Sequence, residues 1–142
     1  MRKALFGLSV VILIIFAFYE SKPEEVEVFI GDSIVYAELA KTEEERRIGL
    51  SRHEQLEKME GLLMVYNSAG RYGIWMKEMS FPIDIIWISE DQRIVDFKED
   101  ASPESYPEIF RPEYPARYVL EVNSGFVERF NIDRGDKVDF EL

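Results

Sequence analysis

Two carboxylates occur inside apolar segments of the chain. Asp84 is followed by four apolar residues, and Glu121 stands between two aliphatic residues. A buried carboxylate must find hydrogen-bond donors or shift its pKa. Either the two acids face a polar cleft, as an acid–base pair or as acceptors for ligand hydroxyls, or they are scaffolding. On the second interpretation Glu121 pairs with an arginine such as Arg46 or Arg117, and Asp84 caps a turn.

Four further side chains could complete such a cleft. Strand alternation places Asn123 on the same face as Glu121. Trp75 could stack against a ligand ring, Lys77 could supply a positive charge, and Arg46 could reach in from a short helix. The alternatives are a core position for Trp75 and a solvated helix-end charge for Arg46. The predicted ligand-binding residues are therefore Arg46, Trp75, Lys77, Asp84, Glu121 and Asn123.

The composition excludes several kinds of chemistry. The 142 residues include no cysteine and a single histidine, His53, which excludes disulfides, thiol catalysis and multi-histidine metal sites. The net charge of −11 disfavours nucleic acid, whose binding requires a positive surface. The sequence contains no glycine-rich phosphate loop and no EF-hand-like loop. We therefore predict no metal and no cofactor, and an ordinary surface role for His53.

The first 22 residues are typical of a signal-anchor segment. Arg2 and Lys3 precede an uncharged apolar run over residues 4–19, and acidic residues follow it. The positive-inside rule then predicts a cytoplasmic N-terminus and a domain outside the membrane, over residues 23–142. A cleaved signal peptide followed by secretion, or a buried soluble helix, are the alternatives. Residues 23–142 hold 14 basic and 27 acidic residues, so the predicted domain carries a charge of −13.

The elements that must position these side chains are mostly short strands. Residues 26–30 and 33–39 alternate between polar and apolar and are separated by Gly31 and Asp32, which predicts a hairpin. Thr42 with Glu45 three residues later matches a capping box, so a short helix follows.

Further strands are predicted downstream, with a long loop between two of them. The loop spans residues 100–115 and contains four prolines, and we expect Tyr106, Phe110 and Tyr114 to hold it to the core. Residues 67–70 are predicted to turn, and a second short helix is expected around Phe126. The predicted strands cover residues 61–66, 73–77, 84–88, 93–97, 118–122 and 137–142.

Together these elements predict one mostly-β (α+β) domain. We expect a single compact antiparallel β-sandwich or barrel-like domain with two short helices, preceded by an N-terminal apolar helix.

Several short fragments, in matching order and spacing across about residues 26–142, carry a family resemblance. They are residues 49–52 (GLSR), 61–66 (GLLMVY), 75–77 (WMK), 82–87 (PIDIIW), 119–125 (VLEVNSG) and 135–138 (GDKV). The combination resembles the uncharacterised protein family 0127, also called domain of unknown function 192. The resemblance implies a single mainly-β domain, often behind a signal or anchor segment, with no established activity.

Two positions depart from the pattern of that family. The family usually has asparagine after Trp-Met-Lys, where this chain has Glu78, and methionine after Gly-Leu, where it has Ser51. An ionised glutamate cannot donate a hydrogen bond as an asparagine amide can. Transfer of a ligand contact to position 78 is therefore not supported.

Three hypotheses of function follow. The first is a non-enzymatic binding or accessory module, tethered outside the membrane, for a small polar or carbohydrate-like ligand or an envelope protein. The second is a hydrolase that uses Asp84 and Glu121 as an acid–base pair. The third is a structural module of an envelope complex. The glutamate-rich composition without cysteine also suggests a heat-adapted protein.

Overall fold

The structure, a computed structural model, describes residues 23–142. Seven strands, two short α-helices and one 3-10 turn follow one another along this part of the chain. The elements are β1 (Glu25–Ile30), β2 (Ser33–Ala40), α1 (Glu43–Ile48), β3 (Glu60–Gly70), β4 (Ile83–Ile88), β5 (Ile94–Ala101), the 3-10 turn (Pro103–Ser105), β6 (Ala116–Asn123), α2 (Phe126–Arg129) and β7 (Val138–Asp139).

All seven strands form one sheet in the order β5-β4-β6-β3-β2-β1-β7. Backbone hydrogen bonds also join the two edges of this sheet at one end, with Ile94 N donating to Asp136 O over 2.9 Å and Gly135 N donating to Ile94 O over 2.7 Å. The sheet therefore curls into a half-barrel. The predicted mostly-β, barrel-like fold with two short helices is confirmed.

One strand pair departs from the predicted antiparallel arrangement. β2 and β3 run parallel, with Tyr36 opposite Glu60 and Ala40 opposite Met64. The intervening segment, which contains α1, carries the chain back along the sheet, and a parallel pair requires such a crossover. The other paired strands are antiparallel.

The local signals at the start of the domain are confirmed. Gly31 has φ +55° in the tight turn between β1 and β2. Thr42 accepts a hydrogen bond from the Glu45 backbone while the Glu45 carboxylate accepts one from the Thr42 backbone, and the helix ends at Gly49 with φ +52°. Because α1 buries none of its side chains, this capping box supports a helix that packing alone would not hold.

Two apolar clusters pack on opposite faces of the sheet. The interior cluster draws on all seven strands and includes Leu120 and Val122 of β6. The outer cluster lies on the other face and includes Val119 of β6 with Leu62 and Ile85 of the neighbouring strands. β4 is buried along its whole length because both clusters cover it.

Several predicted boundaries were wrong. Residues 67–70 continue β3 instead of turning, because Gly70 still pairs with Ala116 of β6. Residues 73–77 form no strand, since Ile74 makes only an isolated bridge to Phe110. The last strand is limited to two residues and leaves Leu142 exposed.

The long loop is attached to the domain differently from the prediction. Phe110 packs against the outer cluster as expected, whereas Tyr106 and Tyr114 are exposed. The carboxylate of Asp96 provides a polar attachment instead, because it accepts a hydrogen bond from Glu113 N over 2.8 Å.

The predicted N-terminal apolar helix falls on residues 1–22, which lie outside the described part of the chain. Across residues 23–142, no helix combines the length and the hydrophobicity needed to cross a membrane.

Candidate functional site

Glu121 is buried in the middle of the sheet without an ionic partner. It lies on β6 between Leu62 of β3 and Ile85 of β4, on the face of the outer cluster, and is 4% exposed. Across the described residues, its side chain forms no hydrogen bond and no ion pair. Burial alone raises the pKa of the Glu121 carboxyl to about 8. At neutral pH this group is therefore mostly an uncharged carboxylic acid, which can donate a hydrogen bond.

The proposed arginine partners of Glu121 are engaged elsewhere. Arg117 pairs with Glu90 at the surface and donates to Tyr66 O. Arg46 donates from Nη1 to Lys41 O and, over 2.8 Å, to Val65 O. The interpretation of Glu121 as half of an arginine ion pair is therefore wrong.

Glu121 opens into a cleft of about 410 Å³ between α1, the end of β3 and residues 72–79. Four of the six predicted ligand-binding residues line this cleft: Arg46, Trp75, Lys77 and Glu121. Leu50, Met64 and Ile74 provide apolar wall, and Glu43 and Arg47 stand on the α1 side.

Arg46 is held in place on the cleft wall. Its two hydrogen bonds to carbonyl oxygens fix one end of the guanidinium, whose carbon lies 4.7 Å from the Tyr66 ring centroid. Tyr66 in turn stacks on Tyr72, with centroids 3.6 Å apart and planes 9° from parallel. Burial raises the pKa of Tyr66 to about 12, although the nearby Arg46 charge acts to lower it. The Tyr66 hydroxyl therefore keeps its proton throughout the ordinary pH range.

The opposite side of the cleft carries an exposed aromatic ring. Trp75 is 42% exposed, and the Lys77 ammonium lies 5.5 Å from its ring centroid. The Tyr106 ring meets Trp75 edge-on at 5.6 Å. The core position considered for Trp75 is therefore wrong, and the ring is available for stacking.

Asp84 lies on the other face of the sheet. It pairs in register with Val122 of the interior cluster, whereas Glu121 pairs with Ile85 of the outer cluster. The fully buried Asp84 carboxylate accepts 2.9 Å hydrogen bonds from Asp100 N and Val127 N. The structure therefore does not form the Asp84–Glu121 acid–base pair, and Asp84 supports the start of α2.

Asn123 also lies outside the cleft. Its amide nitrogen donates to Leu56 O over 3.1 Å and to Glu57 O over 2.8 Å, so it fastens the segment before β3. His53 lies away from the cleft lining too, with its Nε2 atom 3.4 Å from a Glu38 carboxylate oxygen. Within residues 23–142, no group of three or more potential metal ligands occurs.

The tyrosine pair is the part of the site that the sequence analysis missed. Tyr66 follows Leu62 and Met64 at the two-residue period of β3, so alternation could have placed it on the face of Glu121. No comparable signal exists for Tyr72, because it lies in an irregular segment whose path is set by tertiary contacts.

The structure shows which backbone conformation position 78 requires. Glu78 has φ +59°, in the left-handed region that asparagine and glycine tolerate better than glutamate. Its side chain is exposed and does not line the cleft. A backbone preference therefore accounts for asparagine at this position without any contact to a ligand.

Comparison with known proteins agrees with the resemblance found in the sequence. A protein from Thermococcus gammatolerans, named UPF0127 protein, is 32% identical over 69 residues, which cover 49% of this chain and 42% of that protein. A solved protein of Sinorhizobium meliloti 1021, described as a possible transcription regulator, has a TM-score of 0.75 at 29% identity, covering 82% of this chain and 92% of the other.

A second solved protein, of unknown function and from Novosphingobium aromaticivorans DSM 12444, has a TM-score of 0.74 at 30% identity, covering 81% of this chain and 83% of the other. The family model DUF192, described as Uncharacterized ACR, COG1430, matches residues 26–140, nearly the whole sheet. The chain therefore belongs to the DUF192 family, which is the family of the UPF0127 proteins.

Proposed function

We propose that this protein is a non-enzymatic binding module whose cleft holds a small polar, carbohydrate-like ligand. The observation that carries the proposal is the buried, unpaired carboxyl of Glu121 at the cleft wall. Within residues 23–142 the only fully buried side-chain N or O atom without a partner is His53 Nδ1, so the unpaired Glu121 carboxyl reaches the cleft and is open to a ligand. A ligand hydroxyl in the cleft would supply the missing partner.

The remaining lining suits a ring with both polar and apolar faces. Trp75 offers an exposed aromatic surface at one side of the cleft, and Leu50 and Met64 add apolar wall. Arg46 and Lys77 bring hydrogen-bond donors to the same space. Sugars combine apolar ring faces with hydroxyls at the rim, and stacking on tryptophan together with directed hydrogen bonds matches both features.

The arrangement favours binding over hydrolysis. Glycoside hydrolysis ordinarily uses two carboxyl groups on either side of the scissile bond. Asp84, the predicted second acid, lies on the opposite face of the sheet, where each of its carboxylate oxygens accepts a hydrogen bond from a backbone N–H group. Nucleic acid is a poor candidate ligand because residues 23–142 carry a net charge of −13.

The test is calorimetric titration of the full-length chain, in mild detergent, with a panel of neutral and charged sugars. We expect heat of binding from at least one panel member, and a loss of affinity of tenfold or more in the Trp75→Ala variant. Tyr114→Ala is the matched control, because Tyr114 is an exposed aromatic residue outside the cleft lining. Absence of binding by every panel member, or equal losses in the two variants, would count against the proposal.

We propose in addition that residues 1–22 tether this domain to the outer side of the cell membrane. The uncharged run over residues 4–19 and the basic residues before it support this orientation. External protease added to intact cells should degrade a C-terminally tagged full-length chain, while a cytoplasmic marker survives. Protection of the tag would contradict the orientation, and recovery of a shortened chain in the medium would favour cleavage and secretion.

A further inference from the structure

We infer that the ligand of the cleft carries a carboxylate, as a sugar acid does, and that this group pairs with Arg46 and forms a hydrogen bond with the carboxyl of Glu121. This inference rests on the proposed function, since it specifies the class of ligand for the same cleft. It depends on the charges of the lining, on the free atoms of Arg46 and on the isolation of Glu121.

The residues that line the cleft carry a net positive charge, although the domain as a whole is strongly negative. Three cationic side chains, Arg46, Arg47 and Lys77, line it against two acids, Glu43 and Glu121. Glu121 is mostly uncharged at neutral pH because burial raises its pKa to about 8. The lining therefore carries a net positive charge, whereas residues 23–142 as a whole carry −13. A concave positive site on an acidic protein concentrates small anions.

The guanidinium of Arg46 is held in an orientation that leaves two of its nitrogen atoms free to bind a planar anion. Within the described residues its hydrogen bonds come from Nη1 alone, to the carbonyls of Lys41 and Val65, so Nε and Nη2 remain without acceptors. The contact with the Tyr66 ring limits rotation of the guanidinium. An arginine held by carbonyls and an aromatic ring, with two nitrogens free, matches the paired oxygens of a carboxylate. Lys77 adds a second charge that has no acidic partner across residues 23–142.

A carboxylate fits this cleft better than a phosphate does. Phosphate sites generally use several backbone N–H groups at a glycine-rich loop or a helix start. The start of α1 is closed by its own capping box, in which Thr42 and Glu45 satisfy each other's backbone groups. A doubly charged phosphate is also repelled more strongly by the acidic domain than a singly charged carboxylate.

The state of Glu121 controls this interaction. Its neighbours in the sheet, Leu62 and Ile85, are apolar, and Tyr66 presents a hydroxyl that stays protonated. The charged groups on the α1 side are Arg46, Arg47 and Glu43, and Lys77 faces from residues 72–79. A protonated Glu121 can donate to a ligand carboxylate, whereas an ionised Glu121 repels it. Binding should therefore weaken as Glu121 loses its proton.

The experiment titrates the full-length chain with glucuronate, glucose and glucose 6-phosphate at pH 7. We expect glucuronate to bind about tenfold or more tightly than glucose, since a charge-assisted pair with Arg46 is gained. Arg46→Gln should remove this preference. Lys77→Ala should reduce it, whereas the matched variant Lys98→Ala should not, because Lys98 also faces an aromatic ring but lies outside the cleft lining.

The outcomes separate the inference from the proposed function. Equal affinity for glucuronate and glucose would overturn the inference and leave the proposed function standing. Tightest binding of glucose 6-phosphate would replace the carboxylate by a phosphate, and binding of none of the probes would count against both.

A pH series tests the role of Glu121. Because its pKa is about 8, the dissociation constant for glucuronate should rise about tenfold between pH 7 and pH 9. The Glu121→Gln variant, which cannot ionise, should lose this dependence. A wild-type affinity that does not change over this range would overturn the assigned role of Glu121.

Discussion

Asp84 and Glu121 are two buried acids on neighbouring strands, and they differ in what surrounds them. Asp84 faces the interior cluster and accepts hydrogen bonds from Asp100 N and Val127 N. Glu121 faces the outer cluster and has neither a hydrogen bond nor an ion pair within the described residues. In the pairing of β4 with β6, Asp84 lies opposite Val122 and Glu121 lies opposite Ile85, so the two acids are one position apart and face opposite sides of the sheet. Asp84 therefore meets backbone donors, whereas Glu121 faces the open cleft.

The contrast distinguishes a structural acid from a candidate ligand-binding acid. Where the fold supplies backbone donors, as the start of α2 does for Asp84, the carboxylate stabilises the fold and has little capacity left for a ligand. Where the fold supplies apolar neighbours and an opening, as it does for Glu121, the carboxyl keeps its full hydrogen-bonding capacity. Burial by itself therefore does not single out a candidate ligand-binding acid, whereas burial beside a cleft without a protein partner does.

The largest effect is expected when Asp84 is removed. Asp84→Ala deletes two charge-assisted hydrogen bonds and leaves the buried N–H group of Val127 without an acceptor. We expect the free energy of unfolding to fall by about 3–5 kcal/mol, measured by urea denaturation of the full-length chain. Asp139→Ala is the control, because this exposed carboxylate should leave the midpoint unchanged. A loss for Asp84→Ala no larger than for the control would mean that Asp84 is not the structural acid described above.

Glu121 should make the stability of the protein depend on pH. Its pKa is raised from 4.5 to about 8 in the folded protein, so between these values the folded state binds a proton that the unfolded state has lost. The free energy of unfolding therefore falls with rising pH across this window, by about 1.4 kcal/mol per pH unit at most. Below pH 4.5 and above pH 8 the contribution of Glu121 is constant.

The Glu121→Gln variant isolates this effect, since glutamine has no proton to lose. The difference in unfolding free energy between variant and wild type should grow in favour of the variant from pH 5 to pH 8. Denaturation curves at each unit of pH provide the measurement, and a difference that stays level over the window would contradict the raised pKa of Glu121.

Substitutions of Asn123 and Lys77 test the same distinction between structural and ligand-binding residues, with smaller expected effects. Asn123→Ala deletes the hydrogen bonds to Leu56 O and Glu57 O and should lower the unfolding free energy by about 1–2 kcal/mol, without changing ligand affinity. Lys77→Ala should lower ligand affinity without changing the unfolding free energy, because exposed Lys77 lines the cleft and lies in no strand. Both variants are measured by urea denaturation and by calorimetric titration. If each variant lost both stability and ligand affinity, the distinction between structural residues and ligand-binding residues would be wrong.

The elements that rest on local chemistry could be predicted from the sequence. The hairpin at Gly31 and the capping box at Thr42 depend on residues a few positions apart, and both are present. Residues 67–70 carry turn chemistry but continue β3, because pairing of Gly70 with Ala116 outweighs local preference. The parallel alignment of β2 with β3 could not be predicted either, since it depends on where the crossover places the chain.

The candidate site was predictable only in part, for the same reason. Strand periodicity placed Glu121 correctly relative to its own strand, and residue type singled out Trp75 and Lys77, which line the same cleft. The face occupied by Asp84 depends on the register between β4 and β6, which separate segments of sequence do not specify. Alternation within one strand shows which of its residues share a face. Only the register between paired strands decides which residues of two strands lie on the same face of the sheet.

The smallest effect concerns Glu78, an exposed acid that is neither a buried structural acid like Asp84 nor a lining residue of the cleft like Glu121. Its φ of +59° strains a glutamate, and asparagine, the usual residue of the family here, tolerates this region better. Glu78→Asn should therefore raise the unfolding free energy by about 0.5–1 kcal/mol, as measured by urea denaturation, and should leave ligand affinity unchanged. Glu108→Asn is the control, because Glu108 is exposed in a loop but does not have a positive φ. If Glu78→Asn instead tightened ligand binding without added stability, position 78 would belong with Glu121 in the site, since the gain would then come from the amide and not from the backbone.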